Sequence, residues 1–296
     1  MSPARNFSEN TSDTLRIGLP KGRMREGIFD LLKSAGVSVQ VGARGYRPSL
    51  SLPDTETKLL KPQNVIEMLH VGSRDVGFAG ADWVAEFGAE LVEIMDTGLD
   101  PVRLVAAAPV ALLVDGKLPR QPLVVASEYE QLTRRWIRDQ GLEARFVRSY
   151  GATEVFPPED ADCIVDNTAT GATLAANQLE IVDELMRSST RLYANPRALE
   201  NPSKRARIED LALLLRSVLD ARSRVMIEVN VSAERLSALV DVVPCMREPT
   251  LAPLHNQSGF ALKAAVPRKA LATLIPRIKA VGGTDIVVST PSQIVM

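Results

Sequence analysis

A chain of 296 residues that is 45% hydrophobic and 24% charged can bury large cores, and its length suits two or three domains. Its 35 Lys and Arg nearly balance 36 Asp and Glu, and 4% of its residues are aromatic, which argues against a nucleic-acid groove or an anionic membrane surface as partner. Two cysteines, Cys163 and Cys245, and two histidines, His70 and His255, in no ligating spacing disfavour a structural zinc site, a redox pair and a Ser-His-Asp triad.

In chain order, Met1 to Thr14 is polar and lacks the apolar stretch of a signal peptide, and no run approaches the roughly 18 apolar residues of a membrane span. A cytoplasmic location is the default expectation. Leu15 to Leu19 reads as a first strand, followed by the loop Pro20-Lys21-Gly22-Arg23. A helix then places Ile28, Leu31, Leu32 and Ala35 on one face and stops at Gly36. The next helix opens at Pro62, a favoured first position, and buries Val65, Ile66 and Leu69. Val76 to Asp82 reads as a strand and a tight glycine turn at Gly80, with Asp82 placed to cap a short helix. A second series runs from Leu123-Val124-Val125-Ala126 through a helix carrying Leu132, Trp136 and Ile137. The alternation predicts an α/β region with a largely parallel sheet, divided into two lobes around a cleft.

That series ends in an apolar strand and a loop of small and hydroxyl residues, Asp162-Cys163-Ile164-Val165-Asp166-Asn167-Thr168-Ala169-Thr170-Gly171-Ala172-Thr173-Leu174. Thr168, Thr170 and Thr173 can donate hydroxyl hydrogen bonds. Gly171 permits close backbone approach, and a helix beginning near Leu174 directs N–H groups at an anion. Asp166, at the strand end, can hold ribose hydroxyls or a hydrated Mg²⁺. No Lys occupies the loop, so it is not a Walker A motif. The same residues also suit an ordinary threonine-rich turn, and the loop alone leaves both readings open.

The last third begins with a long helix from about Ser203 to Arg222, with Ile208, Leu211, Ala212, Leu215, Val218 and Leu219 on one stripe. Val225, Ile227, Val229 and Val231 then alternate with polar or partly polar positions, the period of a half-buried strand. A helix with Leu236 and Val240 follows, then strand runs near Thr250 to Leu254 and Phe260 to Val266. A helix with Leu271, Leu274, Ile275 and Ile278 and a strand through Ile286-Val287-Val288 close the chain. The order βαββαβ is the ferredoxin-like arrangement of many small-molecule regulatory modules.

Together these motifs resemble the long form of the ATP phosphoribosyltransferase family. The resemblance rests on Lys21-Gly22-Arg23, Asp75 through Asp82, Arg103-Leu104, Leu132-Thr133-Arg134-Arg135 and Gly151-Ala152-Thr153-Glu154. It continues through the loop Asp162 to Leu174 with Ala176-Asn177, Ala221-Arg222, and Arg247-Glu248-Pro249-Thr250-Leu251-Ala252-Pro253-Leu254. Type I phosphoribosyltransferases also end their loop in Thr-Gly-x-Thr but usually carry two adjacent acids, whereas here Asp166 precedes Asn167. The family's common bacterial loop reads Asp-Leu-Val-Ser-Thr-Gly, from which this loop departs, and its Arg-x-x-Asp-Ile-Pro pattern is absent around Lys61 to Val65.

The resemblance implies two periplasmic-binding-protein-like α/β lobes forming a catalytic cleft, plus an ACT-like ferredoxin-like domain. Lobe I would span about 1–108 with a return segment near 186–222, lobe II about 109–185, and the regulatory domain about 223–296. It implies transfer of phosphoribosyl from phosphoribosyl pyrophosphate (PRPP) to N1 of ATP with Mg²⁺, the first step of histidine biosynthesis. It further implies L-histidine as feedback inhibitor and a homo-oligomer, dimer to hexamer, with neither nucleic acid nor membrane as partner. The PRPP site would comprise Asp166, Thr168, Ala169, Thr170, Gly171, Ala172 and Thr173, and the ATP site Lys21, Arg23, Gly80 and Asp82. Asp166, Glu154 and Arg23 would be catalytic, with Asp166 as metal ligand. Arg134 and Arg135 read either as a solvated helix face or as an anion clamp. A non-catalytic cytoplasmic binding or regulatory relative is the alternative, since two lobes around a cleft also build solute-binding proteins.

Overall fold

The computed structural model describes residues 13–42, 45–255 and 257–295. The polar N-terminal segment, apart from Asp13 and Thr14, therefore lies outside the described residues. Contacts divide the chain into two compact units, one built from 37–212 with the segment through Asp30, the other from 213–296 with Leu31–Gly36.

The first unit opens with β1 (Leu15–Pro20), α1 (Met24–Ser34), the short ribbon β2 (Val39–Gln40) and β3 (Ser49–Leu50), and β4 (Thr55–Leu60). It continues with α2 (Pro62–His70), β5 (Val76–Gly80), α3 (Ala81–Phe87) and the long β6 (Val92–Pro109). After these come β7 (Leu123–Ser127), α4 (Glu130–Asp139), β8 (Ala144–Arg148), β9 (Cys163–Thr168), α5 (Ala172–Ala176), β10 (Leu179–Ala194) and α6 (Pro196–Glu200). One eight-stranded sheet runs in the order β4-β1-β5-β10-β6-β9-β7-β8.

The parallel pairing expected from the alternating pattern holds on both flanks, where β1 pairs with β4 and β5, and β7 with β8 and β9. The centre is antiparallel: β10 pairs with β5 and with β6, and β6 with β9. β6 and β10, 18 and 16 residues long, join the two flanks through a pairing interrupted by repeated register shifts. Such bulges let long strands bend and twist from one flank into the other.

α2 starts at Pro62 and buries Val65, Ile66 and Leu69, as its spacing dictates. Each apolar side chain taken out of water contributes about 1.5–3 kcal/mol. Asp75, at the head of β5, is almost fully buried and accepts from Arg16 Nε at 3.1 Å and Nη2 at 2.9 Å, and from Lys204 Nζ at 3.1 Å. Burial alone would raise this carboxyl, but those donors outweigh it and hold it below its ordinary value. α4 has no cap of its own; Glu86 on α3 accepts from the first-turn N–H groups of Gln131 at 2.9 Å and Leu132 at 3.0 Å. A carboxylate there satisfies orphan donors and complements the helix dipole, and it fixes α4 against α3.

The helix α7 (Pro202–Arg222) buries Ile208, Leu211, Ala212, Leu215 and Val218, and Leu219 is half-buried. The second unit contains β11 (Arg224–Val231), α8 (Leu236–Val242), β12 (Thr250–Pro253), β13 (Phe260–Pro267), α9 (Leu271–Ala280) and β14 (Thr284–Ser289). These strands form an antiparallel sheet in the order β12-β13-β11-β14, the ferredoxin-like arrangement expected from the sequence. The alternating β11 valines and Ile227 form its core with Leu239, Leu262, Leu274 and Ile278.

Candidate active site

The loop after β1 presents Lys21, half-buried, and Arg23, exposed, at the C-terminal end of that strand. Together with Met24, Pro62, Asp82, Trp83, Asp100, Val102, Asn167, Ser188 and Ser189 they line a cavity of about 320 Å³. A second cavity of about 240 Å³ is lined by Arg23, Glu154, Asp166, Asn167, Thr168, Ala169, Thr170, Thr173 and Leu174. Arg23 and Asn167 belong to both, so the two cavities meet at these residues. Crevices at strand ends are where open α/β sheets bind ligands.

In the first cavity Asp82 is buried and hydrogen-bonded at both carboxylate oxygens. Its Oδ1 accepts from Ser188 Oγ at 2.7 Å, its Oδ2 accepts from the Tyr129 hydroxyl at 2.6 Å, and its N–H donates to Ser188 Oγ at 3.0 Å. The expected capping role is corrected: Gly80 is the N-cap of α3 and Asp82 lies within the first turn, its side chain turned to β10 and Tyr129. Gly80 does not line the cavity, yet a Cβ there would meet Asp82 Oδ1 at 2.2 Å, so only glycine lets Asp82 adopt this position. Tyr129 stacks on Trp83 with ring centroids 4.5 Å apart and accepts from Asn167 Nδ2 at 2.9 Å.

In the second cavity β9 pairs with β6, Val105 opposite Asp166 and Arg103 opposite Thr168, which delivers the loop at the end of a buried strand. Gly171 takes φ +83°, a left-handed conformation that favours glycine, and caps α5. Thr168 is buried and its Oγ1 accepts from the Gly171 N–H at 2.9 Å, while Thr170 Oγ1 accepts from the Ala172 N–H at 3.3 Å. The helix begins at Ala172 rather than near Leu174 and is five residues long, so hydroxyls and local N–H groups carry more of any anion binding than a macrodipole.

Asp166 is half-buried and accepts from the Asn167 N–H at 2.7 Å. Burial, then the negative charges of Glu154 and Glu128, push its carboxyl up to about 6 against the pull of that N–H. Glu154 reaches the cavity from a turn that starts at Ala152, whose φ of +49° is itself left-handed.

Other expected residues lie elsewhere. Arg134 is paired with Glu130 at 2.9 Å and stacked over Phe146, and Arg135 faces a separate hollow beside Leu132 and Trp136. Cys163 is a buried thiol pushed up to about 12 by burial, which suits inert packing. Tyr129, Trp83, Ser188 and Ser189 carried no local signal, because only the packing of α3, α4 and β10 brings them together. No helix among the described residues is long and apolar enough to cross a membrane.

The profile of the family described as ATP phosphoribosyltransferase matches residues 61–217, and that described as HisG, C-terminal domain, matches 221–291. The ATP phosphoribosyltransferase of Pelotomaculum thermopropionicum is 35% identical over 278 residues, covering 92% of this chain and 96% of the relative. The chain belongs to the ATP phosphoribosyltransferase family. The enzyme of the same name from Desulforudis audaxviator is 37% identical over 278 residues, covering 92% of this chain and 96% of the relative. Among solved structures, the ATP phosphoribosyl transferase (HisG:HisZ) complex from Thermotoga maritima matches with a TM-score of 0.62 and 28% identity, covering 70% of this chain and 98% of that one.

Proposed function

We propose that this chain transfers the phosphoribosyl group of PRPP to N1 of the adenine of ATP, releasing pyrophosphate, as the first step of histidine biosynthesis. The observation that carries this reading is the meeting of a cavity of about 320 Å³ and a threonine-rich loop cavity at Arg23 and Asn167. The loop, from Thr168 and Ala169 through Thr170, Gly171 and Ala172 to Thr173, holds the 5-phosphate of PRPP. Lys21, Arg23 and Asp82, the last positioned by Gly80, hold ATP. In the transfer, the N1 lone pair forms the bond to C1 of the ribose as the C1–oxygen bond breaks, and pyrophosphate leaves with that electron pair.

Such a step passes through a cation-like sugar and needs alignment and charge stabilisation rather than a protein nucleophile. Asp166 orients the ribose hydroxyls, Glu154 offers a second carboxylate to the sugar or base, and Arg23 faces the charge that accumulates on the leaving group. Mg²⁺ fits this donor set as a metal carried in by substrate. The described residues contain no cluster of three or more His, Cys, Asp or Glu side chains able to hold a metal, but Asp166, which lines the cavity, would supply one carboxylate to the ion. When bound, Mg²⁺ supplies charge neutralisation to the diphosphate. A cytoplasmic homo-oligomer, dimer to hexamer, whose C-terminal unit binds L-histidine completes the reading.

The test is pyrophosphate release by the purified chain. It is expected with ATP, PRPP and Mg²⁺ together and not when any one is withheld. Unchanged release in excess EDTA, or release from PRPP without ATP, would contradict the mechanism.

A further inference from the structure

Asn167 stands where the two cavities meet, and its amide orientation is fixed by its partner. Tyr129 is fully buried, and burial followed by the charge of Asp82 raises its phenol far above the ordinary value, so it keeps its proton at neutral pH. The Tyr129 hydroxyl donates its hydrogen bond to Asp82 Oδ2, a carboxylate oxygen that can only accept, at 2.6 Å. The phenol oxygen therefore only accepts at its other side, and the Asn167 group that meets it at 2.9 Å is the amide NH₂. The carbonyl Oδ1 is the opposite end of the same planar amide, and among the described residues no hydrogen bond reaches it. A hydrogen-bond acceptor, locked by Tyr129 and Asp82, is thus held at the junction.

We propose that the Asn167 carbonyl accepts a hydrogen bond from the 6-amino group of the adenine and so aims N1 across the junction at the sugar carbon. This inference rests on the function proposed above. The amino group is bonded to C6, the ring atom beside N1, so an acceptor on it fixes the neighbouring nucleophile. As N1 bonds to carbon the ring becomes positive and the amino N–H more acidic, so the hydrogen bond strengthens on the way to the transition state. Interactions of that kind act on kcat more than on KM. A 6-oxo purine presents an acceptor to this acceptor and carries a proton on N1, and it is excluded on both counts.

The experiment compares ATP with purine riboside 5′-triphosphate, the same nucleotide without the amino group, as substrates of the wild-type chain and Asn167→Leu. Asn167→Ser serves as a second, smaller variant should Leu impair folding. The wild-type preference for ATP, measured as the ratio of kcat/KM values or of binding constants where the analogue turns over too slowly, should shrink at least fivefold in the variant. The loss for ATP should be about tenfold or more, mainly in kcat, the size of one net hydrogen bond. An unchanged preference, with both nucleotides weakened equally, would show that Asn167 only braces Tyr129 and would overturn the proposal. If the wild type turns over neither nucleotide with PRPP, the functional reading itself fails, and this inference with it.

Discussion

Asp166 shows what burying a carboxyl among other acids costs in stability. Its folded carboxyl is raised from the ordinary aspartate value to about 6, chiefly by burial and then by Glu154 and Glu128. A raised acid binds more protons in the folded than in the unfolded state between about pH 4 and 6, so its contribution to stability falls as pH rises through that window. Raising a carboxyl from about 4 to about 6 corresponds to about 3 kcal/mol, which solvent access at the loop reduces to roughly 1–2 kcal/mol. Asp166→Asn is therefore expected to melt higher than the wild type at pH 7.5, to lose that advantage at pH 4.5, and to have little turnover. Thermal melts at the two pH values check the sign; a variant less stable at pH 7.5 would show that the carboxylate is better satisfied than its surroundings imply. Asp75 behaves in the opposite sense: its carboxyl is held low by Arg16 and Lys204, and the stability it contributes is lost as pH falls through its folded value.

At the scale of the element, the β9–α5 loop assigns different tasks to its three threonines. Thr168 is buried and its oxygen caps the loop from within, whereas Thr170 and Thr173 are exposed and line the cavity. Thr168→Val should therefore lower stability by about 1–2 kcal/mol, the range of a lost capping bond, as well as weakening PRPP binding. Thr173→Val should leave the melting temperature nearly unchanged while raising the KM for PRPP several-fold or more, since a hydrogen bond to a charged group contributes about 1.5–3 kcal/mol. Melting curves and steady-state kinetics of the two variants separate the roles. Equal destabilisation by both, with unaltered KM, would mean that the loop is a turn and not a phosphate cradle.

At the scale of the whole molecule, every residue lining the two cavities that meet at Arg23 and Asn167 comes from the first unit, and the ferredoxin-like sheet belongs to the second. If L-histidine binds in the second unit, as proposed, it can act on turnover only through different affinities for two states of the chain. Inhibition should then be non-competitive with PRPP, and calorimetric titration of the intact chain should show saturable binding. A shift of sedimentation toward the larger oligomer should accompany it. The exposed sheet edges suit assembly: β12 is exposed along its length, and Val287 and Val288 on β14 are 56% and 40% exposed. Absence of histidine binding, or purely competitive inhibition, would remove the regulatory reading of this unit.

The sequence alone determined whatever depends on local period and local chemistry. Pro62 opening α2, the valine alternation of β11, the βαββαβ order and the apolar strand running into Thr168-Ala169-Thr170-Gly171 are all legible, because helix and strand periods and glycine turns act over a few residues. What it could not disclose depends on contacts between distant segments. β6 and β10 carry polar stretches at bulges where neither face is consistently buried, so no single period marks either strand along its length. The antiparallel centre of the sheet is decided by their pairing, not by their composition. Asp82 reads as a helix cap from its neighbours, yet Ser188, 106 positions away, and Tyr129, 47 positions away, give it another task. Asn167 looks like a lost acid in a loop motif until Tyr129 fixes its amide. Tertiary structure decides such cases because the orientation of a hydrogen-bonding group belongs to its partner, and here the partner lies on another element.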